Sequence, residues 1–281
     1  MKLQTPVTFP DSKVRISTKD SIMVLGSCFA DGVGERMMRS GLDVCVNPFG
    51  TLYNPVSILS ALQRLEDRRF FSEEDCVKLG AGSDLVCSFS HHTSFARPTA
   101  AEFLENANAR LDEASSAWRR CTKLIISLGT IYCFRNFASG DVVSNCLKRN
   151  AAEFERQPLP LDDVRKMLER IIGLAGDREV ILTVSPIRHL ADGAHGNQLS
   201  KSSLLLAADA VKSSKVEYFP AYEIVMDELR DYRFYSEDMV HPSSQAVDYI
   251  WQRFIEFAVD DKETVAQNER AFRSSQHRPL H

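Results

Sequence analysis

Short apolar runs alternate along this chain with longer stretches in which apolar positions recur every three or four residues. "SIMVLGS" (residues 21–27) reads as a buried strand, and in "FADGVGERMMRSG" Phe29, Val33 and Met37 share one helical face. "LDVCVNP" predicts a second strand and "NPFGTLYNP" a Gly/Pro/Asn loop, followed by a helix that starts at Pro55 and runs through "VSILSALQRLED". "DCVKLGAGSDLVCSF" fits a hairpin around a Gly-rich turn. "AAEFLENANARLDEASSAWRR" predicts a helix leading into the strand "TKLIISLGT".

The second half repeats the alternation. "YCFRNFASGDVVSN" reads as a β-excursion turning at "ASGD", and "LDDVRKMLERIIGL" places Val164, Leu168, Ile171 and Ile172 on the inner face of a helix with an acidic start. Then follow the strand "EVILTVSP", a helix around "SKSSLLLAADAV" and the strand "VEYFP". After "HPSS" a last helix turns Val247, Ile250, Phe254 and Phe257 inward. Beyond Asp260 the apolar period fades, so one domain over residues 1–260 and a poorly ordered tail over 261–281 are expected.

Apolar strands separated mainly by helices imply an α/β protein with a mostly parallel sheet covered on both faces. Functional residues in such a sheet gather beyond the carboxyl ends of the strands, near the point where strand order reverses. The turns to search are therefore "GSCFADG", "NPFGTLYNP", "LGTIYCF" and "SPIRHLADGAH".

Composition removes several alternatives. The 281 residues suffice for a large core, and a net charge of -4 without any Lys/Arg block argues against nucleic-acid binding. No apolar run is long enough to span a bilayer, and the amino terminus lacks a signal peptide's apolar core, so a cytoplasmic protein without a membrane partner is expected. Seven cysteines without a C-x-x-C pair fit reduced core thiols, with neither a disulfide framework nor a metal site. No cofactor is implied.

The chemistry concentrates at Ser27, where strand gives way to helix. Helix-start N–H groups favour developing negative charge there, although a serine in this position also serves as an ordinary cap. A nucleophile needs a base, and two Asp-x-x-His pairs offer one: Asp238/His241 in "EDMVHPSS" and Asp192/His195 in "LADGAHGN". The first lies on a Pro-stiffened loop just before the final helix, where the carboxylate can accept from the imidazole; the second lies in a Gly-containing loop. Cys28 is an alternative nucleophile, but adjacent side chains diverge, so its thiol is expected to point away from the position that serves Ser27.

The segments "LGSCFADGVG", "NPFGTLYNP", "HHTSF", "LIISLGTIY", "VVSNCLK", "SPIRHLADG" and "YFPAYEIVMDELRDYRFYSEDMVHPS" resemble the GSCFA domain family over roughly residues 1–257. That family is similar to the SGNH, or GDSL-like, hydrolases. The resemblance implies a flavodoxin-like three-layer α/β/α sandwich with a five-stranded parallel sheet. It also implies Ser27 as nucleophile, His241 as base and Asp238 as the residue orienting it. The backbone N–H of Ser27 or Cys28, and that of Gly50, would form an oxyanion hole.

The chain departs from those hydrolases after the third strand, where Gly-x-Asn is replaced by Gly129-Thr130-Ile131. Thr130, Asn145 or Asn47 then stand as candidate side-chain donors. His92, Arg188 and His189 are candidate substrate contacts, each with a structural alternative: a surface or core histidine, or a salt bridge across the loop. The expected activity is a serine esterase acting on a small acyl ester, such as an O-acetyl group on a glycan. An O-acyltransferase, and a glycan- or ligand-binding module with weak or no catalysis, are the alternatives. The oligomeric state is left open.

Overall fold

The structure is a computed structural model that describes residues 5–276. In chain order its elements are β1 (Ser21–Gly26), α1 (Cys28–Arg39), β2 (Asp43–Val46), α2 (Pro55–Asp67), β3 (Val77–Lys78), β4 (Val86–Cys87) and α3 (Ala100–Arg120). They continue with β5 (Lys123–Leu128), β6 (Tyr132–Asn136), β7 (Val142–Val143), β8 (Phe154–Pro158), α4 (Leu161–Ala175), β9 (Glu179–Val184) and α5 (Gly193–Ala210). The last elements are β10 (Val216–Phe219), the single turn α6 (Ala221–Glu223), α7 (Ser244–Ala258) and α8 (Lys262–Gln276).

The main sheet has five strands in the order β10-β9-β5-β1-β2, all parallel. Successive side chains of a strand face opposite ways, and β1 shows the result. Met23 and Leu25 enter a core with α2, α3, α4 and α5, whereas Ile22 and Val24 enter a second core with α1 and α7. The protein is thus an α/β/α sandwich. Its strand order reverses between β1 and β5, so the crevice opens beyond Gly26 and Leu128.

Gly26 is required where the two central strands meet. Its φ is +146°, and a Cβ there would lie 2.2 Å from the Ser127 carbonyl oxygen. The loop after β2 is then sewn across both strand ends: Leu52 donates to the Gly26 carbonyl at 2.8 Å, and the Gly129 and Thr130 amides both donate to the Tyr53 carbonyl at 2.9 Å.

The hairpin and excursion expected from the sequence form as β3–β4 and β6–β7, and β8, which the pattern does not reveal, completes a three-stranded antiparallel sheet. Residues 262–276, within the segment expected to be poorly ordered, form a helix. There α8 packs on α1 and α7, with Val265 fully buried and Glu269 accepting from the Trp251 indole at 2.5 Å. The buried valine and the hydrogen bonds of Asn268 and Glu269 to Ser40 together dock a polar helix whose apolar period is weak. Residues 277–281 of the expected tail lie outside the described residues.

Candidate active site

Ser27 is the N-cap of α1, with extended backbone (φ -67°, ψ 174°). A capping side chain folds back over the first helical turn, and Oγ accordingly accepts from the Phe29 amide at 3.3 Å. It also donates to Ser185 Oγ at 2.9 Å and lies 3.4 Å from Ser127 Oγ. The residue has no exposed surface. The expected pairing of Ser27 with His241 is therefore not formed, because the capping geometry turns the hydroxyl toward the ends of β5 and β9.

Cys28, the first residue of α1, takes the outward position. Its Sγ lies 3.3 Å from His241 Nε2, and His241 Nδ1 lies 2.6 Å from Asp238 Oδ2. The divergence of the two neighbouring side chains holds as expected, with the opposite outcome: the cysteine reaches the histidine. Hydrogen bonds from the Val240 and His241 amides and the imidazole hold the Asp238 carboxyl at about 2, below the usual carboxylate range. An ionised carboxylate only accepts, so Nδ1 carries the imidazole hydrogen and Nε2 is free to accept from the thiol. Burial raises the Cys28 pKa, so the resting thiol holds its proton.

The loop that carries the pair is held from both sides. Arg188 donates from its amide to the Val240 carbonyl at 3.1 Å and from Nη1 to the Met239 carbonyl at 2.9 Å. Its guanidinium lies 5.9 Å and 5.6 Å from the ring centroids of Tyr232 and Tyr235. Met239 has a φ of +56°, strained for a residue with a side chain, in the turn that brings Asp238 back to His241. Arg188, a candidate substrate contact, thus holds the loop that carries Asp238 and His241.

Two expected backbone or side-chain donors are already engaged. The Gly50 amide donates to the Asn47 carbonyl at 2.8 Å, closing a turn with φ +88°, and a Cβ there would sit 2.3 Å from His92 Cβ. Thr130 Oγ1 pairs with Ser200 Oγ at 3.2 Å and accepts from the Tyr132 amide. The Asn145 side chain accepts from the Leu147 amide in the loop after β7, and Asn47 bridges Gly26 and Asp31. The Gly50 amide and the Thr130 hydroxyl thus already have partners, in a turn and in a buried pair. His92 Nδ1 bonds Ser94 Oγ at 3.0 Å as a local cap.

His189 packs its ring edge-on against Tyr53 at 6.4 Å, and burial lowers its pKa to about 4. Asp192 pairs with Arg156 instead of His195, which is exposed in the first turn of α5. Lys201, fully buried in α5, carries no signal in the local pattern. Its Nζ ties the ends of β5 and β9 by donating to the Gly129 carbonyl at 2.6 Å and the Ser185 carbonyl at 2.8 Å. Tyr53 was also passed over, although its loop was marked. Its hydroxyl lies near enough to the Cys28 thiol to influence its ionisation and accepts from Thr51 Oγ1 at 3.1 Å, and burial raises its pKa, keeping it an O–H donor.

The GSCFA family model matches residues 21–254. The chain belongs to this family. No curated protein matches it. Among solved structures it is similar to a psychrotrophic esterase from Pseudoalteromonas sp. inhibited by monoethylphosphonate, with 11% identity, a TM-score of 0.41, and coverage of 85% of this chain and 96% of that one. An acetyl xylan esterase from the rumen bacterium Butyrivibrio proteoclasticus shows 9% identity and a TM-score of 0.37, covering 95% of this chain and 66% of the other.

Proposed function

We propose that this GSCFA protein transfers acyl groups from esters through a covalent intermediate on Cys28, with His241 as general base and Asp238 orienting it. The observation that carries this reading is the continuous line of contacts from Cys28 Sγ to His241 Nε2 at 3.3 Å and from His241 Nδ1 to Asp238 Oδ2 at 2.6 Å. Sγ attacks the ester carbonyl carbon as its proton passes to Nε2, and the carbonyl electron pair moves to oxygen. When the C–O bond to the alcohol breaks, Nε2 returns that proton to the departing alkoxide. Water then attacks the thioester, giving a proton to Nε2, and the thiolate leaves and is reprotonated from it.

Two donors fit the developing oxyanion. The Cys28 amide lies at the first position of α1, where no intrahelical acceptor exists, and the Tyr53 hydroxyl adjoins the sulfur. Tyr53 would stand in for the asparagine absent after β5. The acyl acceptor is water in a hydrolase and a second alcohol in an acyltransferase, and a glycan O-acetyl ester is one candidate substrate for either.

The test is incubation with p-nitrophenyl acetate, acid quench and peptide mass spectrometry on the wild type, Cys28→Ala and Ser27→Ala. Acetyl on Cys28 in the wild type and in Ser27→Ala, with turnover lost in Cys28→Ala, is expected. Acetyl on Ser27 would reverse the assignment. A protein that binds ester without acylation at either residue would be a binding module.

A further inference from the structure

Beside the triad lies a cavity of about 340 Å³ that the reaction described above leaves unused. Its walls come from the segment after β9, the first turns of α5, and the chain between α6 and the catalytic loop. Val225, Leu229, Ile187 and Tyr222 line its buried part. Part of its wall is a π-turn at Ile224–Glu228, in which the Leu229 amide reaches back to the Ile224 carbonyl at 3.0 Å. Such turns often occur at binding sites.

Three contacts join this cavity to the site. Its wall residue His189 packs on Tyr53, whose hydroxyl neighbours the Cys28 thiol. Its wall residue Arg188 holds the carbonyls of Met239 and Val240, just before His241. Its wall residue Tyr235 bridges to Pro242, just after it.

Several polar atoms of the wall already have partners, and His189 Nε2 is buried without one. Gln198 Oε1 accepts from the Tyr222 hydroxyl at 2.9 Å, Asn197 Oδ1 from the His189 amide at 2.9 Å, and Arg188 donates to the catalytic loop. What remains for an occupant is mainly apolar surface and aromatic rings, with the one His189 nitrogen among them. The volume is within the range of small-molecule sites.

We infer that this cavity receives an apolar hydrocarbon chain of the ester substrate, longer than acetyl and attached to the scissile group. This rests on the acyl-transfer reading of Cys28. A chain can belong to the acyl half or the alcohol half of the ester; both present the same methylenes to the wall. A glycan acetyl ester would leave the cavity empty.

The experiment has two kinetic arms and one binding arm. kcat/KM is measured for p-nitrophenyl esters from acetate to decanoate and for alkyl acetates from methyl to octyl, in the wild type and in Ala194→Trp. Ala194 lines the cavity from an exposed position in the first turns of α5, so the indole can fill the space without disturbing the core. Octanoate and octanol are titrated calorimetrically into Cys28→Ala, which cannot turn over.

A rise of roughly two- to fourfold per added methylene in one series is expected, with Ala194→Trp bringing the octyl-to-acetyl or octyl-to-methyl ratio close to one. The series that rises assigns the chain to the acyl or the alcohol half. Flat profiles in both series, or a ratio unchanged by Ala194→Trp, would overturn the proposal even if acetyl-Cys28 forms. Saturable octanoate or octanol binding that Ala194→Trp removes, without any acyl-Cys28, would sustain the cavity assignment and defeat the catalytic one.

Discussion

At Cys28 the proton decides reactivity. Because burial keeps the thiol protonated, alkylation by iodoacetamide is expected to keep accelerating as pH rises past 9, the thiol's ordinary value, without an early thiolate plateau near neutrality. A plateau below pH 7 would show a preformed ion pair with His241 instead. Ser27→Ala removes a cap and should cost about 1 kcal/mol in denaturant unfolding while turnover survives. Tyr53→Phe should lower kcat by about 100-fold or more with little change in KM, since the hydroxyl is needed only as charge develops on oxygen. Asp238→Asn should lower kcat by about 100- to 10,000-fold, because Nδ1 then loses the acceptor that fixes the imidazole tautomer.

Between elements, the segment after β4 holds a histidine whose role is structural. His91 is fully buried among Phe49, Phe71, Phe95 and Phe103, with Nδ1 on Ser88 Oγ at 2.7 Å. Burial, with the Arg64 charge nearby, lowers its pKa from 6.5 to about 3. Between those values the unfolded chain binds a proton that the folded chain refuses, so stability is fully present above pH 6.5 and declines as pH falls toward 3. The slope approaches about 1.4 kcal/mol per pH unit for this one group. His91→Phe should flatten that part of the profile in urea unfolding measured from pH 7 to pH 4, and an unchanged slope would assign the acid sensitivity elsewhere.

Across the whole molecule, the carboxyl-terminal helix closes the core on the α1–α7 side. Val265→Asp buries an unpaired charge there and should cost on the order of 3 kcal/mol in a denaturant titration. The loop that carries Asp238 and His241 is anchored separately by Arg188, through the Met239 and Val240 carbonyls, so activity and the docking of α8 should respond separately. Kinetics of Val265→Asp at a temperature where it remains folded checks this: an unchanged kcat is expected.

The alternation of apolar runs and helical spacing determined the sandwich, because burying a strand on two faces and a helix on one leaves a periodic record in the chain. Val247, Ile250, Phe254 and Phe257 are all buried in α7 as their spacing requires. The Asp238–His241 contact was also legible, since a three-residue turn brings its members together locally. Other features depended on distant segments. Ser27 or Cys28 could each face the base until the cap geometry and Ser185, 158 positions away, fixed the hydroxyl inward. Tyr53 reaches the thiol only because its carbonyl is held by the amides after β5, and Lys201 is buried only because two strand ends present carbonyls to it. Local pattern therefore determined the layers and one pair of the site; which side chain faces His241, and what surrounds it, was decided by contacts between distant segments, which leave no period in a sequence.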